Sequence, residues 1–225
     1  KNGIYTADLV ISGADYAHTE KLLNGNRNYS EEYWQKKTFA PSSFLYYVAF
    51  NRKVNHLLHH NLFFDTDFEA HAKEIYDTKE LPKQPLFYAN FSSKTDDSLC
   101  EEGKEVGFFL IPVAVDLEDN EEIHEKYFQL ILDRIKKCTG EDLSDAIVFK
   151  KSFGVKDFKE RYHSCRGNAY GLANTLLQTS VLRPTIKNKK LKNFFYTGQL
   201  TVPGPGVPPA LISGKVVTDY ILKNN

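Results

Sequence analysis

Residues 193–209 read NFFYTGQLTVPGPGVPP, in which an apolar strand, a glycine turn, a glycine–proline loop and the start of a helix follow one another without a gap. Gly198, Gly204 and Gly206 remove side chains where a ligand would have to approach the backbone closely. Pro208 and Pro209 suit the first turn of a helix, where their missing N–H groups would be unpaired in any case. The pattern predicts a strand over 194–198 and a last helix over 207–222.

The start of this predicted helix is the first candidate for a binding site. A helix N-terminus carries N–H groups without partners inside the helix and the positive end of the helix dipole. The loop has no charged side chain to satisfy them. We therefore expect several free N–H groups there, which suit an anion or a polarised carbonyl group. The alternative is a tight connection without a ligand, for which glycine–proline loops are common.

The composition is that of a folded globular protein, with 225 residues, of which 41% are hydrophobic and 26% charged. The 29 basic and 29 acidic residues cancel, which gives no reason to expect nucleic acid as a partner. Three dispersed cysteines form neither a C-x-x-C pair nor an even set, so neither a disulfide framework nor a zinc site is predicted. A reducing, cytoplasmic setting fits these cysteines best.

Apolar and β-branched runs predict strands interleaved with a few helices, and hence an α+β or mixed α/β fold. A buried strand is predicted within residues 5–13, followed by a polar connection to Lys37. Further strands are predicted over 43–50, 61–64, 86–91, 106–113 and 146–151, a short helix over 67–76, a long helix over 116–137, and a partly helical segment over 170–182. We expect the short helix to bury Phe68, Ala72 and Ile75, and the long helix to bury Ile123, Tyr127, Leu130, Ile131 and Ile135.

Other candidate signals have simpler structural explanations. His56, His59 and His60 have a spacing that could bind a metal, but no cysteine or carboxylate cluster completes a ligand set, so structural or surface histidines are favoured. The paired carboxylates within 95–98 are typical of a turn. The aromatic residues on the predicted strands suit a core, although a tunnel for a long apolar ligand would use the same residue types.

The segment 198–214 resembles a flavin-binding signature of the phytoene desaturase and carotenoid isomerase group. In that signature a strand ending in glycine leads to P-G-x-G-[IV]-P and then to a helix with a pair of small residues. Here it is Gly198, then Pro203 to Pro208, then Ser213 and Gly214. The resemblance implies that the following residues contact the flavin ring: Gly198, Gln199, Gly204, Pro205, Gly206, Val207 and Pro208.

Three other segments resemble the same family in the same order. Residues 7–15, followed by Ala17-His18-Thr19, are similar to the strand that returns from the substrate domain, with Gly13 where asparagine is usual. Residues 41–51 and 59–64 resemble the entry into the substrate domain's sheet. The crossing back to the flavin is matched by Phe158, Tyr162, Gly167, Asn168, Ala169, Tyr170 and Gly171.

The resemblance implies an FAD-dependent desaturase that introduces double bonds into a long polyene, such as phytoene, by hydride transfer to flavin. It implies a returning segment of the FAD-binding domain over 1–36, a substrate-binding domain over 37–152 with a mixed or antiparallel sheet covered by helices, and the C-terminal part of the FAD-binding domain over 153–225. It implies no metal and assigns no catalytic acid or base. Because such substrates partition into lipid, we expect peripheral contact with the inner face of the cell membrane, without a spanning helix.

The chain contains no methionine and opens at Lys1 in what reads as a turn, so we expect it to be a fragment. No G-x-G-x-x-G follows a predicted strand; in the family that motif, which grips the pyrophosphate of FAD, lies upstream. The fragment alone is therefore expected to bind FAD weakly or not at all and to be inactive. Two alternatives stay open: an isomerase or saturase of the same family, and a non-catalytic domain that binds a hydrophobic ligand.

Overall fold

The computed structural model describes residues 3–224. Lys1, with the turn expected there, lies outside the described residues. The chain divides into two compact units, the first made of 1–40 and 158–225 and the second of 41–157. The strands of the second unit run from Ser42 to Phe153. The two divisions between the units, after residues 40 and 157, lie a few residues later than the predicted ones, after residues 36 and 152. The assignment of the units to cofactor and substrate stays a prediction.

The first unit is built on two parallel strands. β1 (Val10–Ser12) pairs with β7 (Phe194–Tyr196), with Val10 opposite Phe194. Three helices belong to the same unit: α1 (Tyr16–Leu22), α2 (Glu31–Gln35) and α6 (Val207–Asn224). Phe195 of β7 packs against Val217 and Ile221 of α6, which fixes the last helix against the strand pair.

The second unit contains β2 (Ser42–Phe50), β3 (His60–Phe63), α3 (Phe68–Lys73), β4 (Phe87–Asn90), β5 (Glu105–Val113), α4 (Glu121–Thr139) and β6 (Ile147–Phe153). Its five strands form an antiparallel sheet in the order β3-β4-β5-β2-β6. Helix α3 follows β3, and α4 packs on one face of the sheet. Helix α5 (Val155–Tyr162) contains the division between the units.

The core of the second unit lies between α4 and the sheet. Alternate residues of β2 and β5 are fully buried, as the period of a strand requires. They meet one face of α4, where each fully buried large side chain contributes about 1.5–3 kcal/mol. The buried set includes Phe44, Tyr46, Val48, Phe50, Phe109, Ile111, Tyr127, Phe128, Ile131 and Ile135.

The mixed α/β fold, with a parallel strand pair and an antiparallel sheet plus helices, is confirmed. Each predicted strand is present within a few residues of its expected position. Within residues 3–224, the structure has no helix that combines the length and the apolar character needed to span a bilayer.

Two helices lie where a polar connection to Lys37 was predicted. Asp15 accepts a hydrogen bond from the N–H of His18 and starts α1, and Ser30 accepts one from Tyr33 and starts α2. These are typical helix-capping residues. The prediction of a connection was wrong because it weighed the polar composition of the segment above its caps.

Three further predictions need correction. The long helix begins at Glu121 because Asn120 caps it and Asp116 has a positive φ of 66°. Residues 170–182 form only short 3₁₀ turns, since Gly171 and Ser180 also have positive φ. In α3 the buried residue is His71 rather than Phe68, which is 66% exposed.

The strand predicted as buried near the start of the chain is largely exposed. Val10 and Ile11 are 40% and 49% exposed. The reason is that β1 pairs with one strand, β7, within the part of the chain that the structure describes. The apolar run therefore predicted the position of the strand correctly, but it did not predict how much of the strand is exposed.

Candidate functional site

A cavity of about 480 Å³ in the first unit is the principal candidate site. Three distant stretches of sequence form its wall: residues 13–16 after β1, residues 197–200 after β7, and part of the segment from Phe158 to Ala169. Ala210 of α6 completes it. These stretches are the ones in which the family resemblance was noted. The lining from the third stretch is Phe158, Tyr162, Ser164, Asn168 and Ala169.

Asp15 joins two sides of this cavity. One carboxylate oxygen accepts the N–H of His18 at 3.0 Å, and the other accepts the N–H of Cys165 at 3.0 Å. Burial raises the pKa of the Asp15 carboxyl, and these backbone hydrogen bonds oppose that effect. Asp15 therefore fixes the start of α1 against the turn at Cys165, and it also presents a carboxyl group to the cavity.

The turn after β7 is tied to α6 by a buried serine. Ser213 donates to the carbonyl of Ala210 at 2.6 Å and accepts the N–H of Gly198 at 2.7 Å. Its oxygen also lies 2.7 Å from the hydroxyl oxygen of Thr197. Because Ser213 is fully buried, these bonds replace water for each polar group. Ser213, the first residue of the small-residue pair in the signature, thus holds this part of the cavity wall in place.

Gln199 is held by the neighbouring crossing segment. A Cβ atom added to Gly171 would meet the carbonyl oxygen of Gln199 at 2.5 Å, so only glycine fits there. Asn168 accepts the N–H of Gly171 at 2.6 Å and also faces the side-chain amide of Gln199 at 3.4 Å. The crossing segment and the turn after β7 are therefore in direct backbone contact.

The structure brings only part of the predicted cofactor-binding set into the cavity wall. Gly198 and Gln199 line it. Gly204 is buried beside Arg183 and Asn174, and Val207 is 83% exposed. The residues that do not line the cavity are Gly204, Pro205, Gly206, Val207 and Pro208. Their contact with a cofactor stays a prediction.

The expectation of several free N–H groups at the start of α6 is wrong. Pro208 and Pro209 have no N–H, and the N–H of Ala210 donates to the carbonyl of Gly206 at 3.0 Å. At most the N–H of Val207 is left for a ligand among the first four helical residues. The two prolines that indicated a helix start also remove the donors that would have made it a strong anion site.

His59 and His60, two of the three histidines considered above as metal ligands, form hydrogen bonds with hydroxyl groups of the second unit. Nδ1 of His59 lies 2.6 Å from the hydroxyl of Thr95, and Nδ1 of His60 lies 2.6 Å from that of Tyr88. Within residues 3–224, no group of three His, Cys, Asp or Glu side chains is placed to hold a metal ion. Asp96 accepts the N–H of Ser98, as expected for a turn.

The second unit presents an apolar sheet face on the side opposite α4. The strand aromatic residues divide between the two faces: most are in the core, but Tyr47, Tyr88 and Phe108 lie on the other face. The ring centroids of Tyr47 and Phe108 are 5.2 Å apart, and those of Tyr88 and Phe108 are 6.5 Å apart. Leu45 and Leu110 are cross-strand neighbours on this face. We call these five residues the open sheet face.

Comparison with known proteins gives a consistent set of relatives. The chain is 42% identical over 219 residues to a carotenoid 3,4-desaturase of Haloarcula japonica. It is 31% identical over 228 residues to a zeta-carotene-forming phytoene desaturase of Myxococcus xanthus, and 29% identical over 229 residues to a 4,4'-diapophytoene desaturase of Staphylococcus haemolyticus. No protein-family model matches the chain.

These matches cover 96–97% of this chain but only 43–45% of each relative. The chain therefore spans less than half the length of the curated relatives it matches. A crystal structure of an oxidoreductase from Methanosarcina mazei is similar in fold, with a TM-score of 0.57 and 16% identity. That similarity covers 96% of this chain and 44% of the solved one.

Proposed function

We propose, from the premise that this chain is homologous to the carotenoid and phytoene desaturases over nearly its whole length, that the full-length protein containing it is an FAD-dependent desaturase of a long polyene. The observation that carries the proposal is the cavity in the first unit. Its wall is formed by the three stretches that resemble the family's flavin-domain segments, although they lie far apart in the sequence.

The residues present fit a flavin ring. The cavity's 480 Å³ is within the roughly 300–1,000 Å³ of small-molecule sites. A Cβ atom on Gly198 would meet nothing within 4 Å, so its backbone borders open space that a flat group can approach. The backbone of 13–15 and 198–199 would hold the ring on one side, with Phe158 and Tyr162 nearby. When bound, FAD supplies the hydride acceptor for the reaction.

The chain's own part in the chemistry is to position the reactants. The substrate loses a hydride from an allylic carbon and a proton from the adjacent carbon, and a double bond forms between them. Both oxygens of Asp15 already accept backbone N–H groups, so we assign it a positioning role and assign no proton acceptor. The cavity wall would exclude water from the reacting carbons.

We propose that the open sheet face binds the polyene chain. Its members are partly buried aromatic and aliphatic side chains on adjacent strands, and one of them, Tyr47, is 46% exposed. Burying such a surface against a hydrocarbon is favourable at about 25 cal/mol per Å². A substrate such as phytoene matches this chemistry, because it offers apolar surface along its length and no hydrogen-bonding group.

We also propose a cytoplasmic protein that touches the inner face of the cell membrane. The support is an exposed apolar loop in the first unit. Leu176, Leu177, Val181 and Leu182 are 87%, 74%, 90% and 51% exposed. Exposed apolar side chains of this kind can enter the boundary between lipid headgroups and acyl chains.

The test uses the purified full-length protein. We expect a flavin absorbance spectrum and, with phytoene in lipid vesicles, products with a longer conjugated system. A product that keeps its number of double bonds identifies an isomerase, and one that loses a double bond identifies a saturase. Absence of flavin and of turnover contradicts the proposal and leaves the non-catalytic alternative.

A further inference from the structure

Arg183 is a buried positive charge without a negative partner. The residue is 3% exposed, and no carboxylate in the described part of the chain forms an ion pair with it. Its guanidinium donates to neutral oxygens instead, and its Nε has no partner within residues 3–224. An arginine stays protonated even where burial lowers its pKa, as it does here. Such a charge is costly to bury unless something compensates it.

The hydrogen bonds of Arg183 connect it to the cavity wall. Nη2 donates to the carbonyl of Leu172 at 3.0 Å and to Oδ1 of Asn174 at 2.7 Å. Nη1 lies 3.5 Å from the carbonyl oxygen of Gln199, which lines the cavity. Arg183 itself lines a separate cavity, together with Val202 and Tyr220, so its charge reaches the proposed flavin site through the carbonyl of Gln199. Arg183 is buried, and electrostatic interactions are strong in such an environment.

We propose that Arg183 is a positioning residue whose charge stabilises negative charge on the ligand of this cavity. The inference rests on the proposed function, in which that ligand is a flavin that gains negative charge when it is reduced. A positive charge held beside it raises its electron affinity. The start of α6 offers at most one N–H, so the helix alone supplies little of this stabilisation.

A competing charge is that of Asp15, whose carboxyl group belongs to the described residues that line the cavity. Burial raises its pKa, which disfavours its negative form. Lys187 is further from this role, because its ammonium group lies 5.9 Å from the rings of Phe195 and Tyr220 instead.

The decisive experiment places a carboxylate beside Arg183 without changing the shape of the site. Asn174 is exposed and accepts from Arg183 at 2.7 Å, so Asn174→Asp neutralises the charge with an isosteric side chain. We measure the midpoint potential of the flavin in the full-length protein, together with its affinity for sulfite. We expect N174D and Arg183→Gln each to lower the equilibrium constant for flavin reduction at least tenfold. For a two-electron reduction this corresponds to a midpoint potential lower by about 30 mV or more.

Two further variants separate charge from packing. Arg183→Lys keeps the charge and is expected to retain the parent's potential within threefold in the equilibrium constant. Asn24→Asp makes the same charge change at an exposed position of the same unit and is expected to leave the potential unchanged.

An unshifted potential in N174D overturns the inference while the proposed function stands. Loss of flavin from N174D also overturns it, because Arg183 would then hold the loop rather than act through its charge. A full-length protein without flavin contradicts the proposed function itself, and the inference falls with it.

Discussion

Gly171 and Gln199 are in such close backbone contact that any side chain at position 171 would overlap the carbonyl oxygen of Gln199. This contact joins the crossing segment to the turn after β7, two stretches that both line the candidate cavity. Gly171 also has a φ of 97°, which side chains other than that of glycine rarely allow. Both the lack of space and the backbone conformation therefore require glycine at position 171.

Gly171→Ala should therefore destabilise the chain more than Gly198→Ala. Both glycines have a positive φ, which costs a substituted residue about 1–3 kcal/mol. Only at Gly171 does the added methyl group also meet a backbone atom, because nothing lies within 4 Å of a Cβ on Gly198. Urea unfolding of both variants measures the difference. Equal losses of unfolding free energy would contradict the role assigned to the Gly171 contact.

Ser213→Ala should reduce the unfolding free energy by about 1 kcal/mol, because the part-buried N–H of Gly198 would lose its acceptor. Thr218→Ala is the matched control on the same helix. Its hydroxyl donates to the carbonyl of Gly214 at an exposed position, so its removal should change stability by less than about 0.5 kcal/mol. Comparable effects of the two changes, measured by urea unfolding, would speak against a special role for Ser213.

Gly206→Val in the full-length protein should weaken flavin retention at least tenfold, because Gly206 has a φ of 98° that a β-branched residue strongly disfavours. Flavin retained after gel filtration is the measurement. Gly103→Val is the control, since Gly103 also has a positive φ and open space around it but belongs to the other unit. Normal retention in Gly206→Val would remove the glycine–proline loop from the predicted cofactor site.

Phe108→Ser should raise the KM for a polyene on the order of tenfold, because a large ring of the open sheet face would be lost. Flavin absorbance should not change. Val148→Ser is the control: it removes an apolar side chain of β6 in the same unit that is 61% exposed but is not one of the five residues of the open sheet face. A KM that responds equally to both variants, or to neither, would exclude the open sheet face as the polyene surface.

The stability of the second unit should fall as the pH drops below about 6.5. The N–H of Leu86 donates to Nδ1 of His71, and Nε2 of His71 lies 2.9 Å from the carbonyl oxygen of Pro112, so the buried ring is neutral. Burial lowers the pKa of His71, against a smaller opposing effect of the Pro112 carbonyl. Below the unfolded value of about 6.5 the unfolded chain binds a proton that the folded chain does not.

The contribution of His71 is therefore complete above that pH and decreases as the pH falls toward the lower folded value. Urea unfolding from pH 8 to pH 5 measures it. His71→Gln should flatten this pH dependence, and an equally steep loss of stability in that variant would contradict the assignment.

The amino-acid sequence was sufficient for the strands, the last helix and the stretches that carry the family resemblance. These features follow from local patterns: alternating apolar residues, capping residues and prolines act within a few positions. The predicted strands at 43–50 and 106–113 became β2 and β5 for this reason. Even the shortage of free N–H groups at Pro208 and Pro209 could have been read from the residues.

The cavity and its charge required the folded chain, because its contacts join residues far apart in sequence. Asp15 reaches the N–H of Cys165 across 150 positions, and no local pattern predicts such a pair. Arg183 reads as an ordinary charged residue before a proline, yet folding buries it beside Leu172 and Gln199 without a carboxylate. Burial and partner choice depend on long-range packing, which alone sets how strongly a charge acts on its surroundings.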